Sequence, residues 1–229
     1  LKNSTKIDNK TVSISPSIIA ADLTRMSEIV SGMDPEIIDL VHMDVMDGNF
    51  VPNITFGPAY IKDLSQHTRI PLDVHLMIEE PEKSIQSYID LKPWCITIHY
   101  ESTRFPARLL SLIKEHNIIA GLSINPATPI ETTFDLLPYA DMILIMSVDP
   151  GFYGQKFMKT ALGRIERLQA HSRKHFPELL IQVDGGINAD NIAPVVQAGA
   201  RIIVAGGAAF KNGDVNTNVQ ELKNKAPIL

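Results

Sequence analysis

Only one cysteine occurs in the 229 residues. Cys95 therefore has no partner for an intramolecular disulfide, and the apolar run around it reads as a buried structural thiol, compatible with a reducing compartment. No run of lysine and arginine marks a nucleic-acid footprint, and the net charge is -5. No apolar run reaches the roughly 18 residues needed to span a bilayer. The opening residues, Leu1-Lys2-Asn3-Ser4-Thr5-Lys6, lack the apolar stretch of a signal peptide. No low-complexity segment or linker separates a second domain. These absences lead to an expectation of a cytoplasmic protein with neither nucleic-acid nor membrane partners. One domain is expected over residues 1–229, with residues 1–10 as a polar tail or leading loop.

Hydrophobic residues make up 45% and charged residues 21%, the balance of an ordinary globular protein. The length suits one barrel-sized domain or two small ones, and it is enough to bury a core without covalent staples. An acidic protein binds an anionic ligand only through a local device, such as backbone amides at helix N-termini.

Short apolar runs recur at Val12–Ile19, Asp39–Val45, Ile70–Met77, Cys95–His99, Ile118–Ile124, Met142–Val148, Leu179–Asp184 and Arg201–Ala205. Several are rich in Ile and Val, as buried parallel strands are. Helix-like segments lie between them. Leu23–Met33 follows Asp22, a candidate N-cap. Pro81 stands where a helix over Glu82–Leu91 would begin. Phe105–His116 places Leu109, Leu110 and Ile113 on one face and ends in basic residues, which suit a helix C-terminus. Gly163–His175 and Asn191–Ala198 complete the set. Strand then helix, repeated about eight times at a spacing of about 25 residues, predicts an α/β fold with a parallel sheet. The count favours a closed (β/α)8 TIM barrel, with a doubly wound sheet as the alternative.

Alternation along a barrel strand sends every second residue inward. In the second run Val41, Met43 and Val45 suit the helix-facing side, so His42, Asp44 and Met46 point into the barrel. In the third, Asp73, His75 and Met77 point inward, and in the seventh Gln182 and Asp184. The C-terminal ends of the strands carry the active site in this fold. His42, Asp44, His75 and Asp184 are therefore expected at one mouth. Two imidazoles and two carboxylates suit a divalent metal such as zinc, manganese or iron. A single His-x-Asp pair is more often structural, but carboxylates buried in separate strands need a compensating charge, which a metal provides. Asp47 and Asp73 read instead as loop caps or anchors.

Three glycine-rich turns follow the last three runs: Asp149-Pro150-Gly151-Phe152-Tyr153-Gly154-Gln155, Asp184-Gly185-Gly186-Ile187 and Ala205-Gly206-Gly207-Ala208. Glycine lets backbone N–H groups approach an anion closely, and the loops after strands seven and eight commonly hold phosphate in such barrels. No arginine clamp stands nearby, so amides carry the expected phosphate contact. Met46, Met77 and Met146 are read as core filler, with the lining of a dry mouth as the alternative. Ser17 ends the first strand, where its hydroxyl meets substrate or caps the turn before Asp22.

These residues resemble the ribulose-phosphate 3-epimerase family. The matching segments are Ser15-Pro16-Ser17-Ile18, the stretch from His42-Met43-Asp44-Val45-Met46-Asp47-Gly48 through Asn49-Phe50-Val51-Pro52-Asn53, and His75-Leu76-Met77-Ile78. Further on come Gly121-Leu122-Ser123-Ile124-Asn125-Pro126-Ala127-Thr128-Pro129, Met146-Ser147-Val148-Asp149-Pro150-Gly151-Phe152 and Val183-Asp184-Gly185-Gly186-Ile187. The resemblance implies a TIM barrel that interconverts D-ribulose 5-phosphate and D-xylulose 5-phosphate. It implies one divalent ion (zinc, iron, manganese or cobalt) held by His42, Asp44, His75 and Asp184. Asp44 and Asp184 double as the proton-transfer pair around an enediolate. It further implies substrate contacts from Ser17, His75, Gly151, Phe152, Tyr153, Gly154, Gly185, Gly186, Gly206 and Gly207, and a homo-oligomeric assembly.

Four features depart from the family pattern: Tyr153, Gly207, Asp149 and Lys92-Pro93-Trp94. None touches the four expected ligands, so they bear on the substrate rather than on the chemistry. The competing readings are a 3-epimerase for a hexulose phosphate such as D-allulose 6-phosphate, a lyase or decarboxylase barrel, and a non-catalytic binding barrel. The second-strand motif lacks the lysine a related decarboxylase would need, and the complete ligand set argues against a non-catalytic barrel.

Overall fold

A computed structural model describes residues 7–228 of the chain. Among them, eight strands form one parallel sheet: β1 (Ser13–Pro16), β2 (Val41–Met46), β3 (Leu72–Met77), β4 (Cys95–His99), β5 (Ile119–Ile124), β6 (Met142–Met146), β7 (Leu180–Asp184) and β8 (Ile202–Ala205). The strand order runs β1-β8-β7-β6-β5-β4-β3-β2. The two ends meet in a single parallel bridge between Ser17 and His42, so the sheet curls into a barrel. The doubly wound alternative is thereby excluded.

The helices outside the barrel are α1 (Met26–Ser31), α2 (Pro58–Leu64), α3 (Ile85–Ile89), α4 (Pro106–Glu115), α5 (Thr160–His175), α6 (Ile192–Ala198), α7 (Gly207–Phe210) and α8 (Val215–Lys225). Asp22 caps as expected by accepting from the Thr24 N–H, but a 3-10 turn over Leu23–Arg25 precedes α1, which ends at Ser31. Sequence patterning missed α2, α8 and the four-residue α7, whose first residues were read as a glycine turn. The eleven residues of α8 bury Val215, Val219 and Leu222, spaced i, i+4 and i+7 on one face, so the stripe was present in the sequence and was passed over; Asp214 starts the helix by accepting from the Thr217 N–H. The β5–β6 connection is a 3-10 helix, Ile130–Leu136, rather than an α-helix. Its Thr132 and Thr133 hydroxyls donate back to the Pro129 and Ile130 carbonyls and compete with regular helix bonding.

The core divides as alternation requires. The outward residues of the strands pack against the helices in one large apolar cluster. Inside, at the N-terminal ends of the strands, Leu40, Cys95, Met142, Leu180 and Ile202 form a dry plug, with Ile7, Trp94 and Ile119 against it. Cys95 is buried there, as expected. Of the expected tail, residues 1–6 lie outside the described region. Residues 7–10 are anchored: Ile7 covers the plug, and the Arg201 Nε–H donates to the Asn9 carbonyl at 2.9 Å. No helix among the described residues is long and apolar enough to cross a membrane.

Candidate active site

The polar half of the barrel interior lies above the plug. The register pairs His42 with Asp73 and Asp44 with His75 across β2 and β3, and Met146 with Asp184 across β6 and β7. One ligand atom from each of His42, Asp44, His75 and Asp184 lies within 4.8 Å of all the others. His42 Nε2 is 3.3 Å from Asp44 Oδ1, His75 Nδ1 is 3.2 Å from that same oxygen, and the two ring nitrogens are 3.4 Å apart. Lone-pair atoms crowded this closely repel unless a proton or a cation sits among them. The N2O2 donor set fits a divalent ion of borderline softness.

The protonation states reflect that crowding. Burial pushes His42 down, but the carboxylates of Asp44 and Asp73 outweigh it and hold the ring well above the ordinary imidazole range. Burial pushes Asp44 up, yet His42 and His75 hold it well below the ordinary carboxylate range. Burial takes His75 down to about 4. Burial, reinforced by the charge of Asp44, raises Asp184 to about 7. Two aspartates in one site are thus driven apart, the condition an acid/base pair needs.

Beneath this cluster stands a second polar layer. Asp73 Oδ2 accepts from His42 Nδ1 at 2.7 Å, from Gln182 Nε2 at 2.5 Å and from Ser15 Oγ at 3.3 Å. The loop-anchor reading of Asp73 is therefore corrected: the residue is fully buried and orients His42, turning Nε2 toward the ligand cluster. Inward alternation was legible; the meeting with Gln182, 109 residues away, was not. Asp47 does anchor loops, accepting from the Asn49 and Phe50 N–H groups and, across the mouth, from that of Glu79. Ser17 makes no cap; its hydroxyl donates to Asp44 Oδ2.

A cavity of about 570 Å³ opens above. Ser17, Asp44 and Asp184 line it, whereas His42 and His75 are fully buried and lie outside its lining. Met46, Met77 and Met146 border the cavity yet are buried, and Met46 and Met77 pack with Ile19 and Val51, so the core-filler and dry-mouth readings both describe them. Gly151, Phe152, Tyr153, Gly154, Gly185, Gly186, Gly206 and Gly207 all border the cavity. Phe152 and Tyr153 hold exposed side chains at its rim. Two of the glycines are sterically required. At Gly185 (φ 120°) an added Cβ would come within 2.6 Å of the Val148 side chain, and at Gly186 (φ 63°) within 2.5 Å of the Phe157 nitrogen. Gly207 has open space around it.

Four residues went unnoticed in the sequence. Lys211 lines the cavity and supplies a cation where only amides were expected. Arg164 of α5 is buried and donates to the Met146 and Asn125 carbonyls, both at 2.8 Å, tying the ends of β5 and β6. Its position on a helix with many basic residues gave no signal. His99 and Glu101 adjoin His75. For His99 the signal was present: it ends β4 at an inward position, two residues after Thr97, as His75 stands inward in β3 two residues after Asp73.

The profile of the ribulose-phosphate 3 epimerase family matches residues 13–210. The chain is 37% identical over 213 residues to the ribulose-phosphate 3-epimerase of Bacillus subtilis, covering 93% of this chain and 98% of that protein. It is 41% identical over 204 residues to the ribulose-phosphate 3-epimerase of Synechocystis sp., covering 88% and 89%. Among solved structures, a 3-hexulose-6-phosphate synthase superposes with a TM-score of 0.64 at 17% identity, over 95% of this chain and 99% of that one, a likeness of fold.

Proposed function

Because the chain belongs to the ribulose-phosphate 3-epimerase family, we propose that it interconverts D-ribulose 5-phosphate and D-xylulose 5-phosphate by moving the proton at C3. The observation that carries this reading is the pair Asp44 and Asp184. Both line one cavity, they stand on strands separated by β1 and β8, and their proton affinities are opposed. Epimerisation needs one group to take the C3 proton from one face and another to return a proton to the other face. Ionised Asp44 is the base for one epimer while protonated Asp184 is the acid, and the roles exchange in reverse. Ser17 steadies Asp44 by donating to Oδ2. The three methionines exclude water without competing for the substrate hydroxyls. The glycine loops and Lys211 hold the phosphate, whose binding orients the reacting carbon.

His42, Asp44, His75 and Asp184 would hold one divalent ion, with zinc, iron, manganese and cobalt all compatible with the donors. When bound, it would supply positive charge beside the oxygen that becomes negative in the enediolate. The reading extends to one barrel domain in a cytoplasmic homo-oligomer. The single buried thiol and exposed apolar side chains such as Ile54 support that extension. The direct test is an assay on both pentulose phosphates and a hexulose phosphate, with metal content measured on the same sample. Faster turnover of the hexulose phosphate would overturn the substrate assignment.

Zinc affinity should depend on pH. Asp184, raised to about 7, carries its proton in acid, and a ligating carboxylate must release it. Affinity is expected to fall about tenfold for each unit below pH 7 for every proton displaced. Calorimetry in two buffers of different ionisation enthalpy measures the protons released; a value of zero at pH 6 would contradict the site.

The phosphate loops make a paired prediction. Gly207→Ser adds a hydroxyl where space is open and should lower KM roughly fivefold, the effect of about 1 kcal/mol from one added hydrogen bond. Gly186→Ala forces a left-handed backbone and a clash, and should cost more than about 2 kcal/mol of stability. Steady-state kinetics and thermal unfolding read the two. A destabilised Gly207→Ser and a silent Gly186→Ala would reverse the assignment.

A further inference from the structure

His99 and Glu101 have no part in the chemistry above, yet a hydrogen-bond path from the ligand cluster runs through them. His99 is fully buried at the end of β4. Its ring lies nearly parallel to that of His75, with centroids 4.9 Å apart and planes at 20°, and Phe50 packs against it at 4.7 Å. His99 Nε2 lies 2.8 Å from His75 Nε2. Two ring nitrogens at that separation share one proton, so one ring donates and the other accepts.

The far end of the path decides which. His99 Nδ1 is 3.4 Å from Glu101 Oε2. Glu101 Oε1 already accepts from the Asn125 N–H at 2.8 Å and from the Thr128 hydroxyl. An ionised carboxylate only accepts, so His99 carries its proton on Nδ1 and its Nε2 is a lone pair. His75 must then carry its proton on Nε2. Its Nδ1 lone pair is left facing Asp44 Oδ1 at 3.2 Å and His42 Nε2 at 3.4 Å. Asp44 alone would favour the opposite tautomer, with the proton on Nδ1, where it would block ligation.

We propose that Glu101, acting through His99, sets the tautomer of His75 and so presents its Nδ1 lone pair to the divalent cation. His99 and Glu101 are positioning residues, as the carboxylate behind a metal-bound histidine commonly is. The proposal rests on the metal reading of the cluster.

Glu101→Gln tests it with little change of shape. The Asn125 N–H and the Thr128 hydroxyl hold the new amide oxygen on their side, which turns the amide NH2 toward His99 Nδ1. Both imidazoles then reverse their tautomers. Nitrogen chemical shifts of histidine in the metal-free protein should show His75 protonated on Nε2 in the parent and on Nδ1 in Glu101→Gln. Zinc affinity of the full chain, measured by chelator competition, should drop about 10–100-fold in that variant. His99→Leu, which cannot accept, should lose as much. His99→Gln, whose amide oxygen can take the His75 proton, should recover affinity to within about threefold of the parent, a recovery that a purely packing role does not give. His75 protonated on Nδ1 in the parent, or equal zinc affinity in the parent and Glu101→Gln, would overturn the relay. The metal reading fails separately, if the parent binds zinc no better than His42→Ala does. The tautomer measurement, made without metal, decides the relay in that case too.

Discussion

Replacing either Asp44 or Asp184 with asparagine is expected to lower kcat for epimerisation by about 10²–10⁴-fold, the usual contribution of a positioned acid or base. The shape is conserved, and because each substitution also removes a carboxylate from the metal site, kcat is compared at saturating divalent ion with bound metal measured in each variant. The two variants should differ in a way that a generally damaged site would not. Each retains one aspartate, and that aspartate can still exchange the C3 proton of one epimer with solvent. In deuterium oxide, Asp44→Asn should label one pentulose phosphate and Asp184→Asn the other, with almost no interconversion. Near-normal turnover in either variant, or the same epimer labelled in both, would refute the two-aspartate assignment.

Stability supplies an independent check. The carboxyl of Asp184 is raised in the fold to about 7. A raised group favours folding below its unfolded value, and that contribution is lost as pH rises through the folded value. At pH 8 the ionised Asp184 therefore opposes folding of the metal-free protein, and Asp184→Asn should unfold at a higher temperature than the parent. Asp44 behaves in the opposite sense. Its carboxyl is depressed by His42 and His75, so it stabilises above its unfolded value, and Asp44→Asn should unfold earlier. Activity lost in a variant that is more stable than its parent cannot be charged to misfolding.

Removing the metal is expected to have the other large effect. Stripping with chelator should reduce turnover below detection, and one equivalent of divalent ion should restore it. Thermal unfolding should respond as well. An ion present at a thousand times its Kd stabilises the folded chain by about 4 kcal/mol. At 2–4 °C per kcal/mol for a chain of this size, the shift is roughly 8–16 °C. The sign follows from the crowded lone pairs of His42, His75 and Asp44, which hold one another at 3.2–3.4 Å. Without a cation they must hold a proton on His42 instead. Full activity in excess chelator, with no metal by elemental analysis, would remove the ion from the reaction.

Much of this was legible in the chain. The eight apolar runs, the inward alternation of His42, Asp44, His75 and Asp184, and the glycine turns are local patterns with a period of two or a fixed spacing. Backbone geometry converts such patterns into a face and an end of a strand without reference to the rest of the molecule. Boundaries blurred where that signal was thin. The segment Leu23–Met33, read as one helix, divides into a 3-10 turn over Leu23–Arg25 and α1, which ends at Ser31, and the β5–β6 connection, outside every helix-like segment of the sequence, is a 3-10 helix over Ile130–Leu136. Asp73, Gln182, His99, Glu101 and Lys211 could not be assigned roles locally, because each role is a meeting between distant residues. Asp73 reads alone as a loop anchor until Gln182 and Ser15 converge on its oxygen. By itself, then, the sequence determined which side chains face the barrel axis and at which end they gather. The tertiary structure decided which atoms meet there, and with them the tautomers and charges of the site, because a hydrogen bond or a pKa depends on separations of a few ångströms that only closure of the barrel sets.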